Sequence, residues 1–339
     1  MGGALPQWKN HPSVQRWSPI CRPHSGPVDP HCLQKGGRGG ASPPVSASRS
    51  LADWGPREGG VGGMMARAAS QASQKAGRAL HQVALLPCLS DNYVFLLREA
   101  GGKVAVVDPG EKGMLGKLKQ ELDGLGWEAP SFILNTHHHF DHTDANLELK
   151  AAFDLTIIGP AADAARIPGI DLAYGEGDEF SIGASKFRVF DTPGHTRGHI
   201  SFFLDDPAGP ALFPGDTLFT LGCGRLFEGT PEQMWASLSK FSELPDDTRV
   251  YGAHEYTLSN AKFAVSVEPE NARLAERYRE IVADRERGLP TVPSTLGHER
   301  GTNPFLRPNS ADIRRNLGFG AAASDAEVFA AIRGAKDNF

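Results

Sequence analysis

No stretch of this chain holds the roughly 18 consecutive apolar residues that a membrane-crossing helix needs, so no membrane partner is expected. Cysteine is sparse: Cys21, Cys32, Cys88 and Cys223 are scattered over 339 residues without a CxxC pair. That argues against a small disulfide-stapled module and makes a reducing, cytoplasmic setting the simpler assumption. Acidic residues are nearly missing from the first 80 positions, which hold ten Lys/Arg against three Asp/Glu. The remainder is the opposite material, with 25 basic and 37 acidic residues from 81 to 339. A body of that sign lacks the basic surface that nucleic acid requires.

The leader, residues 1–79, contains stretches such as "HSGPVDPHCLQKGGRGGASPPVSASRS", rich in Gly, Pro and Ser and without periodicity. Such a segment buries too little apolar surface to offset the entropy of ordering, so disorder is expected there and His11, His24 and His31 are assigned no role. It lacks the apolar segment of about 7–15 residues that a secretory signal carries. Its Arg- and Ser-rich character fits a mitochondrial transit peptide, or else Met64 or Met65 is the true start.

What is present from residue 81 onward is an α/β pattern with 40% hydrophobic content behind it. Short β-rich runs occur at "HQVALLP", "NYVFLLRE", "KVAVVDPG", "SFILNT", "LTIIG", "KFRVFDTPG", "HISFFL", "ALFPGD" and "RVYGAH", most of them closed by Pro, Gly or Asp. Helical spacing marks "EKGMLGKLKQELDGLG", "DANLELKAAFD" and "TPEQMWASLSKFSEL", the last with Thr230 as N-cap and Pro231 at the first helical position. After about residue 256 the strands stop and the pattern turns helical, which divides the body into a domain over 80–255 and a small helical domain over 256–339.

Chemistry concentrates in "ILNTHHHFDHTDAN", Ile133 to Asn146, where a buried strand opens into a loop. His137, His139, Asp141 and His142 form H-x-H-x-D-H, a mixture of imidazole and carboxylate that suits zinc, iron or manganese. Further candidate ligands end three later strands: His195 in "FDTPGHTRGH", Asp216 in "LFPGDTLF" and His254 in "VYGAHEY". A solvated His-rich tract would not recur at strand ends in this way. Seven ligands exceed what one tetrahedral zinc can use, which implies two metals. One could take His137, His139 and His195, the other Asp141, His142 and His254, with Asp216 bridging. Two metals so placed lower the pKa of a shared water and clamp developing oxygens, so hydrolysis is the default reaction.

The set THHHFDH, TPGHT, GDTLF and GAHEYT, in that order and spacing, resembles the metallo-β-lactamase superfamily over residues 81 to 255. Within it, "LSDNYVFLL", "VVDPGE", "LFTLGCGRLFEGTPEQMWASL" and "HEYTLSNAKFA", together with the C-terminal "NPFLR…IRGAKDNF", resemble glyoxalase II, the hydroxyacylglutathione hydrolases. The resemblance implies a four-layer αββα sandwich with a helical C-terminal domain, a dinuclear metal centre, most often of zinc, and hydrolysis of S-D-lactoylglutathione to D-lactate and glutathione. It implies the same division of ligands, catalytic roles for Asp141 and Asp216, and glutathione binding by Arg225, Tyr256, Arg333 and Lys336. It also implies that Asp108 hydrogen-bonds to the metal loop. His138 lies between two ligands and is expected to point away from them, orienting the loop, and His199 is expected to be structural. At position 227, where several relatives carry tyrosine, Phe227 lacks the hydroxyl. Cys223 has no adjacent base and is expected to pack; His81 and His298 have no motif around them. A monomer acting on a small-molecule glutathione thioester is expected. The runner-up is a glutathione persulfide dioxygenase with one iron, against which the C-terminal basic pair argues.

Overall fold

The computed structural model describes residues 81–207 and 209–339, so the expectations for the leader and for Cys21 and Cys32 lie outside the described residues. Every strand anticipated from the pattern is present: β1 (His81–Cys88), β2 (Asn92–Glu99), β3 (Val104–Val107), β4 (Pro130–Leu134), β5 (Thr156–Pro160), β8 (Ser185–Asp191), β9 (Ile200–Leu204), β10 (Ala211–Phe213) and β13 (Arg249–Val250). Five short ones were not anticipated: β6 (Leu172–Tyr174), β7 (Glu179–Ile182), β11 (Leu218–Phe219), β12 (Gly222–Cys223) and β14 (Ser294–Thr295). The last corrects the reading that strands stop after 256, because β14 pairs antiparallel with β13 and completes the second sheet.

Two six-stranded sheets, ordered β1-β2-β3-β4-β5-β6 and β14-β13-β10-β9-β8-β7, form the centre. Strand β2 shows why they must be sandwiched. Phe95 and Leu97 point one way, into a cluster with Phe187, Phe202, Phe213 and Tyr251 of the opposite sheet. Val94 and Leu96 point the other way, against Leu118, Leu122 and Leu149. These belong to helices α1 (Leu115–Leu125) and α3 (Asn146–Phe153). A strand apolar on both faces is stable only when both are covered. The outer face of the second sheet, through Phe203, Leu212 and Val250, is covered by Met234 and Leu238 of α4 (Pro231–Ser239), Phe263 of α5 (Thr257–Val267) and Phe329 and Ile332 of α9 (Asp325–Asp337). The result is the αββα arrangement. The remaining helices are the single turn α2 (Phe140–Thr143), α6 (Ala272–Glu286), α7 (Leu296–Thr302) and α8 (Ala311–Asn316). Thr230 caps α4 as expected, in a reciprocal capping box with Gln233. No helix among the described residues is long and apolar enough to cross a membrane.

Candidate metal centre

The site lies where β4 ends. Asp108, just beyond β3 and held at φ 51°, accepts from the Thr136 amide at 2.8 Å, the Thr136 hydroxyl at 2.7 Å and His142 Nδ1 at 3.0 Å. A left-handed aspartate whose side chain meets three donors fixes the entry of the loop. His137 follows at a bend and His139 in extended backbone, but Asp141 and His142 do not lie on a loop as expected: His139 is the N-cap of α2 and both residues sit in its single turn. Gly110 lets this turn approach, since a Cβ there would come within 1.6 Å of the Asp141 carbonyl oxygen.

All seven anticipated ligands converge. His139 Nδ1 lies 3.0 Å from both His137 Nε2 and His195 Nε2, and those three side chains form one compact group. Asp141 Oδ2 lies 3.6 Å from both His142 Nε2 and His254 Nε2, forming a second group. Between them stands Asp216. Its Oδ1 faces His142 Nε2 at 3.4 Å and His254 Nε2 at 3.3 Å, while its Oδ2 faces His195 Nε2 at 3.2 Å.

The donor set fits divalent metals. His142 Nε2 and Asp216 Oδ1 are buried without a hydrogen-bond partner, a costly state that a shared cation relieves. Burial, reinforced by neighbouring imidazoles, drives His137 well below its usual pKa and His139 down to about 4, which leaves them as neutral lone-pair donors. Burial alone would raise Asp216, but His254, His142 and His195 outweigh it and hold the carboxyl well below its ordinary range. Ring orientation is set from behind: His195 Nδ1 faces the Arg225 carbonyl at 2.8 Å, and His254 Nδ1 faces Asp91 Oδ1 at 2.8 Å.

A cavity of about 720 Å³ opens onto the centre. Arg225, Tyr256, Arg333 and Lys336 line it, as does Phe227, whose ring packs 5.1 Å from that of His195. His138 points away from the centre, its Nδ1 at 2.8 Å from Asp163 and its Nε2 accepting from Arg166 at 3.1 Å. Cys223 is buried, and burial pushes its thiol up to about 11, which suits packing rather than nucleophilic attack. Two residues near the ligands, Asp91 and Asn92, are assigned no role by the sequence, whereas His199, expected to be structural, accepts the Asp216 amide on Nε2 at 3.1 Å. His81, which had no motif, pairs with buried Asp206 at 2.8 Å.

The metallo-β-lactamase superfamily model matches residues 89–254, and the model for the hydroxyacylglutathione hydrolase C-terminus matches residues 255–339. A hydroxyacylglutathione hydrolase of Methylococcus capsulatus is 52% identical over 259 residues, covering 76% of this chain and 98% of its own. The chain belongs to the hydroxyacylglutathione hydrolase family. A second member, from Ruegeria pomeroyi, is 51% identical over 76% of this chain and 99% of its own length. Among solved structures, ETHE1 of Myxococcus xanthus superposes with a TM-score of 0.52 at 24% identity, over 74% of this chain and 99% of that one, a likeness of fold alone. Membership carries the expected αββα fold with its helical C-terminus, and the one-iron dioxygenase alternative is not favoured.

Proposed function

We propose that this chain hydrolyses S-D-lactoylglutathione to D-lactate and glutathione, using two divalent metals, most simply zinc, with iron or manganese as the other metals the donors suit. The observation that carries the proposal is Asp216, one oxygen turned to each histidine group, beside a cavity that Arg225, Arg333 and Lys336 also line. His137, His139 and His195 would hold one ion, Asp141, His142 and His254 the other, and Asp216 both. Bound there, the metals supply a water of lowered pKa and a Lewis acid for the thioester carbonyl.

The chain's own residues do the remainder. Asp141 keeps a partly exposed carboxylate at the cavity wall, able to accept the proton of the attacking water and aim its lone pair. The departing thiolate is a stable anion, so no general acid is needed. Arg225, Lys336 and Tyr256 offer donors for the two carboxylates of the glutathionyl group. Phe227 supplies an apolar wall in place of a hydroxyl. Asp108 and His138 orient the ligand loop without touching substrate.

The same proposal includes a catalytic domain over 80–255, a substrate-binding domain over 256–339, and a cytoplasmic enzyme acting as a monomer, since one chain carries every ligand and every cavity cation. Measurement of zinc content and lactoylglutathione hydrolysis tests the core of it. The native chain is expected to bind two equivalents and turn over the thioester, and Asp216→Ala to lose both metals. Full two-metal loading of that variant would refute the bridging role, and oxygen uptake with a glutathione persulfide in place of thioester hydrolysis would refute the reaction.

A further inference from the structure

We infer that Asp91, the last residue of the β1–β2 turn, and Asn92, the first of β2, are positioning residues that aim His254 and Asp141 and thereby tune the second metal group separately from the first. This rests on the two-metal reading above. Asp91 Oδ1 accepts from His254 Nδ1 at 2.8 Å, which places the proton on Nδ1 and the lone pair on Nε2, the nitrogen that faces Asp141 and Asp216. Asn92 Nδ2 donates at 3.1 Å both to the Asp141 carbonyl and to Asp141 Oδ2, the oxygen turned toward His142 and His254. Two of the three side chains of the second group therefore depend on two neighbouring residues at the start of β2.

The backbone keeps that turn in register. Asn92 forms a bridge with His254, the Tyr93 amide donates to the Ala253 carbonyl at 2.7 Å, and the Glu255 amide donates to the Asp91 carbonyl at 2.8 Å. Leu89 takes a left-handed φ of 49°, and its amide is held by Glu111 at 3.3 Å. A non-glycine residue in that conformation persists where the surroundings over-determine it, which is common beside functional sites. The first group is held by other elements: His195 by the Arg225 carbonyl and His137 by the Thr136 hydroxyl at 3.1 Å. Asp91 is only half-buried, but its removal leaves Nδ1 of the buried His254 without this partner, which makes Asp91→Asn the milder replacement.

The test is a calorimetric zinc titration of the full metal-depleted chain, with steady-state kinetics on the loaded protein. Loss of such a supporting contact typically weakens metal affinity about 10- to 100-fold. Asp91→Ala is expected to weaken the second zinc equivalent by that factor and to leave the first unchanged. It should lower kcat at limiting zinc; because Asp91 also bonds the Tyr256 hydroxyl, the variant in which KM should hold is Asn92→Ala, which leaves Arg225, Tyr256 and Lys336 untouched. Asn92→Ala is expected to do the same, and Asp91→Asn, which keeps an acceptor oxygen for Nδ1, to recover part of the affinity. Should Asp91→Ala fail to fold, the Asp91→Asn titration decides. Two equivalents bound with native affinity, or both weakened equally, would overturn the inference. A native chain that binds a single zinc would instead overturn the two-metal reading beneath it.

Discussion

The Arg333 guanidinium donates to the Cys223 carbonyl at 2.9 Å and pairs with Asp337 at 2.8 Å, and it is buried. Lys336, one turn along the same helix, is half-buried, donates to the Ser259 carbonyl at 3.2 Å and hydroxyl at 3.0 Å, and lies over the rings of Phe263 and Phe339. A guanidinium already enclosed by a carbonyl and a carboxylate supports the β11–β12 turn, whereas an ammonium on a hydroxyl can exchange it for a ligand carboxylate. Lys336→Ala is therefore expected to raise KM for lactoylglutathione about tenfold to hundredfold, matching the loss of a charged hydrogen bond, with kcat nearly unchanged. Arg333→Ala is expected to lower the melting temperature as well, by about 1–3 kcal/mol of stability, since it leaves the Cys223 carbonyl unpaired. An unaltered KM in the Lys336 variant, measured beside thermal melts of both, would remove that residue from the substrate. Gly110 belongs to the same scale. A methyl group there meets the Asp141 backbone, and because a displacement of about 1 Å can cost about 100-fold in rate, Gly110→Ala should lose activity far in excess of its loss of stability.

At the scale of elements, the end of α5 shows how the helical region is tied down. Glu268, buried, accepts from Arg307 Nη2 at 2.6 Å, Ser310 Oγ at 2.5 Å and Asn271 Nδ2 at 2.9 Å. Burial by itself would raise this carboxyl, but those donors hold it below its ordinary 4.5. A carboxyl lowered in the folded state contributes stability that is complete above its unfolded pKa and is lost as pH falls through the lower folded value. Acid melts should therefore steepen below about pH 4.5, the unfolded reference. Glu268→Gln should flatten that limb and cost about 1.5–3 kcal/mol near neutrality. Thermal melts across that range check both, and an unchanged acid limb would show that other carboxylates govern it.

At the scale of the molecule, the C-terminal helix is core as well as cavity wall. Val328, Phe329 and Ile332 are fully buried in the cluster that includes Met234, Phe241 and Phe305. Each such side chain contributes about 1.5–3 kcal/mol on burial. Three together approach the roughly 5–15 kcal/mol that holds a typical domain folded. A chain ending at Ser324 is expected to lose its cooperative melt and not simply its affinity for glutathione thioesters. Calorimetry of that truncation, beside the intact chain, decides between core and detachable lid: an undiminished melting temperature with raised KM would favour the lid.

The sequence by itself determined which residues are candidate ligands, the continuous apolar runs of the inner strands, and the cap of α4. Each of these is written in residue type and local spacing: seven imidazoles and carboxylates at strand ends, Val94 to Leu97 apolar without alternation, Thr230 ahead of Pro231. Short or exposed strands escaped, because β14 spans two residues and Leu172 and Ala173 of β6 face solvent, so neither leaves a periodic trace. Only the tertiary structure decided that Asp141 and His142 share a helical turn, that Arg333 is enclosed while Lys336 is not, and which oxygen of Asp216 meets which histidines. It alone brought Asp91 to His254 across 163 positions. A hydrogen bond between residues so distant depends on how the sheets stack, and no local pattern of residue types encodes that distance.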